Sequence, residues 1–191
     1  MIQLGERFRL ALVFASRLHE DQARKGSGVP YLSHLLAVTS LVLENGGDED
    51  EAIAALLHDA VEDRGGNEVL EQIRGGFGAR VAEIVKGCSD CEGSPKPPWR
   101  ERKEAHLKHL AGANGSVLLV TSADKLHNAR CYLADYREQG EALWPRFRGG
   151  KDGTLWYLRS FVELARERGP RKLVAELDLV VSELERLAGQ A

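Results

Sequence analysis

The sequence predicts an all-α fold, a helical bundle in a single compact domain over residues 1–191. Apolar residues recur at three- and four-residue spacing through most of the chain, which is typical of amphipathic helices. Pairs of glycines separate these periodic segments. The one stretch apolar enough for a strand, 116–121, continues into a helical pattern and has no partner strand. With 191 residues and 43% hydrophobic content, the chain can bury one sizeable core.

The helices are predicted in order from the periodic runs, which cover 8–18, 35–42, 52–63, 81–85, 117–130, 155–166 and 173–187. Asp48 followed by Glu51 resembles a capping box, which would begin the third of these helices. Pro170 suits the first turn of the last helix. The glycine-rich sites predicted as breaks are 46–47, 65–66, 75–76, 112–115 and 149–150. Residues 93–98, which include three prolines, are predicted as an extended loop.

Charge and cysteine content narrow the class of partner. A formal net charge of -3 provides no general electrostatic reason to bind nucleic acid. Charged residues near the start argue against a signal peptide, and no stretch approaches the roughly 18 apolar residues of a membrane span. Three cysteines, an odd number, favour free thiols in a reducing cytoplasm, with Cys88 and Cys91 as ordinary side chains near a loop. Homodimer formation is left open.

The first segment with chemical character is AIAALLHDAVED, residues 52–63. At about 100° per residue, its apolar side chains fall on one arc and His58, Asp59, Glu62 and Asp63 on the other. Three carboxylates with one imidazole repel one another unless a cation relieves them. Such ligands suit manganese, iron or zinc better than calcium. A solvated helix face and a metal site explain this segment equally well.

The second segment is TSADKLHNAR, which follows an apolar run. Asp124 and Asn128 are four residues apart and therefore share a helix face. An aspartate preceded by VLLVTSA is expected to be partly buried, and a buried carboxylate needs a partner such as a metal. Lys125 alone fits a solvated surface. This segment favours the metal site over the solvated face.

The third segment joins Arg24 and Lys25 to His34 through a glycine-containing loop. Two cations beside a flexible loop suit a phosphate-rich ligand, since arginine offers a bidentate fork and lysine a point charge. An Arg-Lys pair is also common on protein surfaces. This segment indicates a phosphate-binding role only when it is considered together with the other two segments.

The three segments together resemble a known family. The order HEDQARKGSGVPYLSH, AALLHDAVED, ADKLHN is similar to the hydrolase domain of the RelA/SpoT alarmone enzymes, and most similar to the small stand-alone alarmone hydrolases of the HD superfamily. The similarity covers about residues 8–130. It implies an HD-domain helical bundle and an enzyme that removes the 3′-pyrophosphate from guanosine or adenosine polyphosphates such as (p)ppGpp, releasing pyrophosphate.

The resemblance also implies roles for particular residues. One divalent metal ion, usually Mn²⁺, would be held by four ligands: His34, His58, Asp59 and Asp124. Glu62 and Asp63 would serve the hydrolytic water, and which of the two is the general base stays open. The substrate nucleotide polyphosphate would contact Arg24, Lys25, Asn128 and, in the region that closes the pocket, Tyr157.

Three positions depart from the family pattern. Arg64 replaces the usual threonine after Glu-Asp, Leu35 replaces the proline after His34, and Cys131 replaces a threonine near the base. The choice between guanosine and adenosine therefore stays open. Two alternatives remain: an HD-type nucleotidase acting on other nucleotides, and a non-catalytic nucleotide-sensing module. Three other histidines are predicted to be caps or solvated groups: His19, His106 and His109.

Overall fold

The computed structural model of the protein describes residues 3–90 and 97–189. Throughout these ranges the regular elements are helices, and Ala23 and Pro30 form an isolated β-bridge. The helices are α1 (Glu6–Leu18), α2 (Leu32–Glu44), α3 (Glu49–Leu57), α4 (Ala60–Arg64), α5 (Gly66–Phe77), α6 (Ala79–Cys88), α7 (Trp99–Ala111), α8 (Gly115–Gln139), α9 (Gly150–Arg168) and α10 (Arg171–Ala188), with a 3₁₀ segment (Gly140–Arg146) before α9. The all-α prediction is confirmed.

Local signals in the sequence explain several helix starts. Asp48 accepts a hydrogen bond from the Glu51 amide at 3.0 Å, and the Glu51 carboxylate accepts one from the Asp48 amide at 2.8 Å. This is the predicted capping box at the start of α3. Asn114 caps α8 through the Val117 amide, and Pro170 precedes α10. The predicted 117–130 run is thus part of a longer helix.

Two predictions about helix continuity are wrong. The 52–63 run is not one helix, because α3 ends at Leu57 and α4 begins at Ala60. Conversely, Gly75 and Gly76 do not break the chain but belong to the last turn of α5, which buries Val69, Leu70 and Ile73 on one face. The helix ends at Phe77, and the next residue, Gly78, has a positive φ of 95° and separates α5 from α6. Burial of the apolar face outweighs the helix-weakening effect of the two glycines.

One hydrophobic core joins the helices and carries the functional segments. The long helix α8 packs along α2 and α10, while α3 contacts α1, α2 and α6. Leu35 of α2, Leu56 of α3 and Leu126 of α8 are fully buried. These contacts bring the start of α2, the end of α3 and the middle of α8 together. No described helix combines the length and apolar character that a membrane crossing requires.

Candidate metal centre and its cleft

The site is built around the interruption between α3 and α4. His58 and Asp59 keep right-handed backbone angles, with Asp59 at φ -95° and ψ -3°. Such bridge-region angles are common in active sites. The His58 Nδ1 lies 2.8 Å from the Ala55 carbonyl oxygen. The imidazole therefore turns inward, and His58 is only 3% exposed. This differs from the solvent-facing arc predicted for an unbroken helix.

Four predicted ligands meet at this interruption. His34 of α2 places its Nε2 3.2 Å from Asp124 Oδ1 of α8 and 3.6 Å from Asp59 Oδ2. The His58 Nε2 lies 3.0 Å from the same Asp59 oxygen and 3.7 Å from Asp124 Oδ1. Ligand atoms of His34, His58 and Asp59 all lie within 4.8 Å of one another. The structure thus brings together residues separated by up to 90 positions.

The donor set fits a divalent metal ion. The Nε2 atoms of His34 and His58 are buried and make no hydrogen bond. Buried polar atoms are rarely left without a partner. Each nitrogen is therefore expected to bind either a metal ion or a proton through its lone pair. Two imidazoles and two carboxylates are ligands that manganese, iron and zinc accept. The site is consistent with the cofactor class that the sequence predicts.

Three outer contacts orient the ligand groups. The His58 Nδ1–Ala55 contact places the proton on Nδ1 and leaves Nε2 free to bind a cation. The His34 Nδ1 lies 2.8 Å from His127 Nδ1, so one of the two rings donates to the other. The Tyr31 hydroxyl donates to Asp59 Oδ2 at 2.5 Å. The sequence reasoning assigned no role to Tyr31 or His127, although both belong to the recognised segments.

The electrostatics of the cluster favour positive charge at the His58 imidazole. Burial opposes charge, but Asp59 and Asp124 raise the pKa of His58 well above its ordinary value. Burial also opposes ionisation of Asp59 and Asp124, yet His58 beside the first and Lys125 beside the second hold their carboxyl pKa values well below the ordinary range. The two carboxylates that stabilise a proton here would equally stabilise a metal cation.

Glu62 and Asp63 lie on α4 beside the cluster and face different partners. The Arg102 Nη1 is 3.3 Å from Glu62 Oε1 and also pairs with the buried Asp90. The Gln22 amide donates to Asp63 Oδ2 at 2.7 Å. Both carboxylates line the same cleft as Asp59. Their roles as the hydrolytic pair stay a prediction.

A cleft of about 540 Å³ opens above the metal centre. This volume suits a small organic ligand. Its lining includes all four residues predicted to bind substrate: Arg24, Lys25, Asn128 and Tyr157. Arg24 is held by a 3.0 Å hydrogen bond from its Nη2 to Asn128 Oδ1. The sequence reasoning missed further cations of the same lining: Arg102, Lys103, Lys125, Arg146 and Arg148.

Arg146 reaches into the cleft from the 3₁₀ segment and packs against the loop that carries Arg24 and Lys25. Its guanidinium pairs with Asp135 at 3.1 Å and with Gln139. Gly26, at φ +85°, leaves the space that this guanidinium fills, because a Cβ there would lie 2.6 Å from Arg146 Nε. Arg146 thereby links the two sides of the cleft.

Tyr157 and two lysines form the deep end of the cleft. The Tyr157 ring lies below Lys103 and Lys125, whose Nζ atoms are 4.6 and 5.4 Å from its centroid. Its hydroxyl is 2.9 Å from His106 Nδ1. His106 is only 3% exposed, and burial with the charges of Lys125 and Lys103 lowers its pKa to about 3. The prediction of a solvated His106 is wrong, since α7 packs on α9.

Two further residues are less exposed than a solvated surface would require. The Lys125 side chain is 12% exposed, and its Nζ pairs with Asp124 Oδ2 at 2.6 Å. His19 is the C-cap residue of α1, as one of the two predicted roles, but its ring is buried and stacks on Tyr31 at 5.4 Å between centroids. His109, by contrast, reaches the Gly87 carbonyl at 3.2 Å.

Cys88 and Cys131 carry free thiols. Cys131 lines the cleft and lies 3.8 Å from His127 Nε2. Cys91 and most of the predicted 93–98 loop lie outside the described residues.

Comparison with known proteins assigns the family. Residues 11–154 match the model of the HD domain family. This match covers most of the chain, so the protein belongs to the HD domain family. The matched range contains the four clustered residues, the Glu62–Asp63 pair and most of the cleft.

Relatives within this family carry alarmone names. The chain is 39% identical over 120 residues to the guanosine-3′,5′-bis(diphosphate) 3′-pyrophosphohydrolase MESH1 of Xenopus tropicalis, covering 61% of this chain and 64% of that protein. It is 36% identical over 132 residues to the bifunctional (p)ppGpp synthase/hydrolase SpoT of Escherichia coli, covering 65% of this chain and 18% of SpoT. The chain thus matches less than two thirds of the length of either relative.

Solved structures share the fold. A metazoan ortholog of SpoT, described as hydrolysing ppGpp, superposes with a TM-score of 0.73 at 24% identity over 100% of both chains. The protein lmo0812 of Listeria monocytogenes superposes with a TM-score of 0.67 at 25% identity, covering 82% of this chain and 99% of that one. The chain therefore shares the helical fold of these two proteins.

Proposed function

We propose that the protein is a metal-dependent phosphohydrolase that removes the 3′-pyrophosphate from guanosine polyphosphates such as ppGpp and pppGpp. The observation that carries the proposal is the meeting of His34, His58, Asp59 and Asp124 beside Glu62 and Asp63, at the base of a cation-lined cleft. The names of the relatives agree with this chemistry. The corresponding adenosine compounds are part of the proposed substrate range, because the purine preference stays open at Cys131.

The four-residue cluster would hold one divalent ion, for which manganese is proposed. When bound, such an ion would stabilise charge on a phosphate oxygen and make water more acidic. Glu62 and Asp63 would orient the attacking water and accept its proton. The water oxygen would form a bond to the phosphorus attached to the ribose 3′-oxygen, and the P–O bond to the 3′-oxygen would break. The 3′-oxygen would take up a proton, so that pyrophosphate and the 5′-nucleotide with a free 3′-hydroxyl are released.

The cleft residues would bind the nucleotide. Arg24 and Lys25 would neutralise the phosphate charge, and Arg146 and Arg148 add positive charge to the same lining. Tyr132 and Phe147, with ring centroids 4.7 Å apart, offer aromatic faces to a purine in this cleft. Tyr157 would contribute its ring rather than its hydroxyl, which His106 already engages.

A product assay tests the proposal. The purified protein is incubated with manganese and, separately, with ppGpp, pppGpp, ppApp and plain nucleoside mono- and diphosphates, and the products are resolved by anion exchange. Release of pyrophosphate from the 3′-pyrophosphorylated compounds alone is the expected result. Release of phosphate from plain monophosphates would instead identify an HD-type nucleotidase. Binding without turnover would identify a nucleotide-sensing module.

Repeating the assay with magnesium, zinc and iron tests the choice of metal, since manganese should give the highest turnover. A cytoplasmic location, a homodimer and the absence of nucleic-acid and membrane partners stay predictions of the sequence.

A further inference from the structure

A side chain outside the predicted site holds one of the two candidate hydrolytic carboxylates. The Gln22 amide follows α1, in the loop that leads to Arg24, and lines the cleft. Its Nε2 donates to Asp63 Oδ2 at 2.7 Å. Gln22 is 41 residues away from Asp63, so this contact ties the loop to α4.

The orientation of the Gln22 amide follows from its other neighbours. Its Oε1 accepts a 3.0 Å hydrogen bond from Arg64 Nε, and the same oxygen lies 2.7 Å from His19 Nδ1. An arginine Nε–H can only donate, so it requires an oxygen rather than an NH₂ group opposite it. The NH₂ group of Gln22 must then face Asp63. Arg64 therefore determines which end of the amide the carboxylate meets.

The remaining contacts of this group restrain it further. The outer nitrogen of Arg64 pairs with Asp21, which holds the guanidinium against the loop. The buried His19 stacks on Tyr31, whose hydroxyl donates to Asp59. One short segment thus contacts a metal-ligand carboxylate through Tyr31 and a hydrolytic carboxylate through Gln22.

The length of α4 explains why such a contact matters. This helix has five residues and begins directly after the His58–Asp59 interruption. A helix of this length has little stability of its own, so the direction of its side chains depends on outside contacts. A donor fixed on Oδ2 leaves Oδ1 of Asp63 to accept a hydrogen bond from water.

We propose that Gln22 is a positioning residue for Asp63 and that Arg64 acts through Gln22 by fixing the orientation of its amide. The proposal rests on the hydrolytic function proposed above. It assigns a role to Arg64, one of the three residues at which this chain departs from the family pattern. Arg64 does not contact the metal ligands in this arrangement, and neither residue is assigned a direct role in the chemical step.

The test compares Gln22→Glu, Gln22→Met, Arg64→Met and the double variant Gln22→Met/Arg64→Met with the wild-type protein in manganese-dependent pyrophosphate release from ppGpp. Gln22→Glu keeps an acceptor for Arg64 but places an oxygen against Asp63. Its kcat should fall about 10- to 100-fold with KM within about twofold, because the contact orients water rather than substrate. Arg64→Met should lower kcat about three- to tenfold.

The double variant Gln22→Met/Arg64→Met tests whether Arg64 acts through Gln22. Its kcat should equal that of Gln22→Met, since removing Arg64 can change nothing once the amide is absent. Additive losses would overturn this part of the proposal. Arg74→Met is the matched control, because Arg74 makes only a surface contact to Glu71 and its loss should leave kcat unchanged.

Manganese affinity, measured by calorimetry, separates positioning from loss of the metal site. Gln22→Glu should bind manganese within about twofold of wild type. A large loss of affinity, or a wild-type kcat in this variant, would overturn the proposal while the hydrolytic function stands. Absence of ppGpp turnover by the wild-type protein would overturn the proposed function and this inference together.

Discussion

The two walls of the cleft are built differently. The inner wall holds the candidate four-residue metal centre on α2, on α8 and on the interruption between α3 and α4, where each candidate ligand has an outer partner. The outer wall carries cations on the loop after α1 and on the 3₁₀ segment before α9, where Lys25 is exposed. Packed helices fix the reactive groups closely, whereas loops supply ligand recognition that can vary.

Asp59→Ala should give the largest effect, because it removes a ligand from the inner wall. We expect loss of manganese binding and a fall in pyrophosphate release of about a thousandfold or more. Calorimetry and the product assay measure both, and far-UV circular dichroism should show the helical content largely retained. Turnover at a wild-type rate would show that the metal centre is assigned wrongly.

Tyr31→Phe tests the connection between the walls. The loop tyrosine donates to the Asp59 carboxylate, and loss of such an outer contact typically weakens metal binding about 10- to 100-fold. Calorimetric titration with manganese measures the change. Tyr136→Phe is the control, since the Tyr136 hydroxyl donates to Glu141 instead. Equal manganese affinities for the two variants would show that the Tyr31 hydroxyl does not contribute to metal binding.

Arg24→Met should affect substrate binding on the outer wall. The expected result is an increase in KM for ppGpp of about tenfold with kcat within about threefold, since the lost charge acts on binding more than on the chemical step. Arg9→Met, which removes a highly exposed arginine of α1, should leave both parameters unchanged. A fall in kcat without a change in KM would show that Arg24 acts in the chemical step rather than in substrate binding.

The smallest expected effect is a pH dependence of stability from His106, behind the inner wall. Its folded pKa of about 3 lies below the ordinary value of 6.5, so the unfolded chain takes up a proton that the folded chain excludes. Stability should therefore fall as pH drops from about 6.5 towards 3, by up to about 1.4 kcal/mol per pH unit.

Urea unfolding at pH 6.5 and 5.5 measures this change. His106→Gln should lose about 1 kcal/mol less than the wild-type protein between these two pH values, because it carries no titrating group at this position. Equal losses would show that His106 is protonated in the folded protein.

The inner wall could be predicted from sequence because its residues stand in short motifs. His58, Asp59, Glu62 and Asp63 fall within six positions, and Asp124 and Asn128 share one turn of a helix. The interruption of the helix at His58 could not be predicted, since the local periodicity continues through it. The inward direction of His58 depends on the hydrogen bond to Ala55, which periodicity does not show.

Several residues of the cleft and its surroundings could not be predicted for a different reason. Arg102 and Arg146 are common residue types in polar segments far from the motifs, and only the packing of α7 and the 3₁₀ segment brings them to the cleft. His106 and Lys125 likewise stand among charged neighbours that suggest a solvated face. Their burial comes from contacts with distant helices rather than from local sequence.

Gly26 has a consequence for how substitutions in this protein are interpreted. The guanidinium of Arg146 occupies the space where a side chain on residue 26 would begin. Any larger residue there would displace Arg146 as well as strain the loop. The loss of activity measured for a substitution at position 26 would therefore come in part from the displacement of Arg146, which lies 120 residues further along the chain. A side chain added at Gly26 would therefore have part of the effect of a mutation of Arg146 itself.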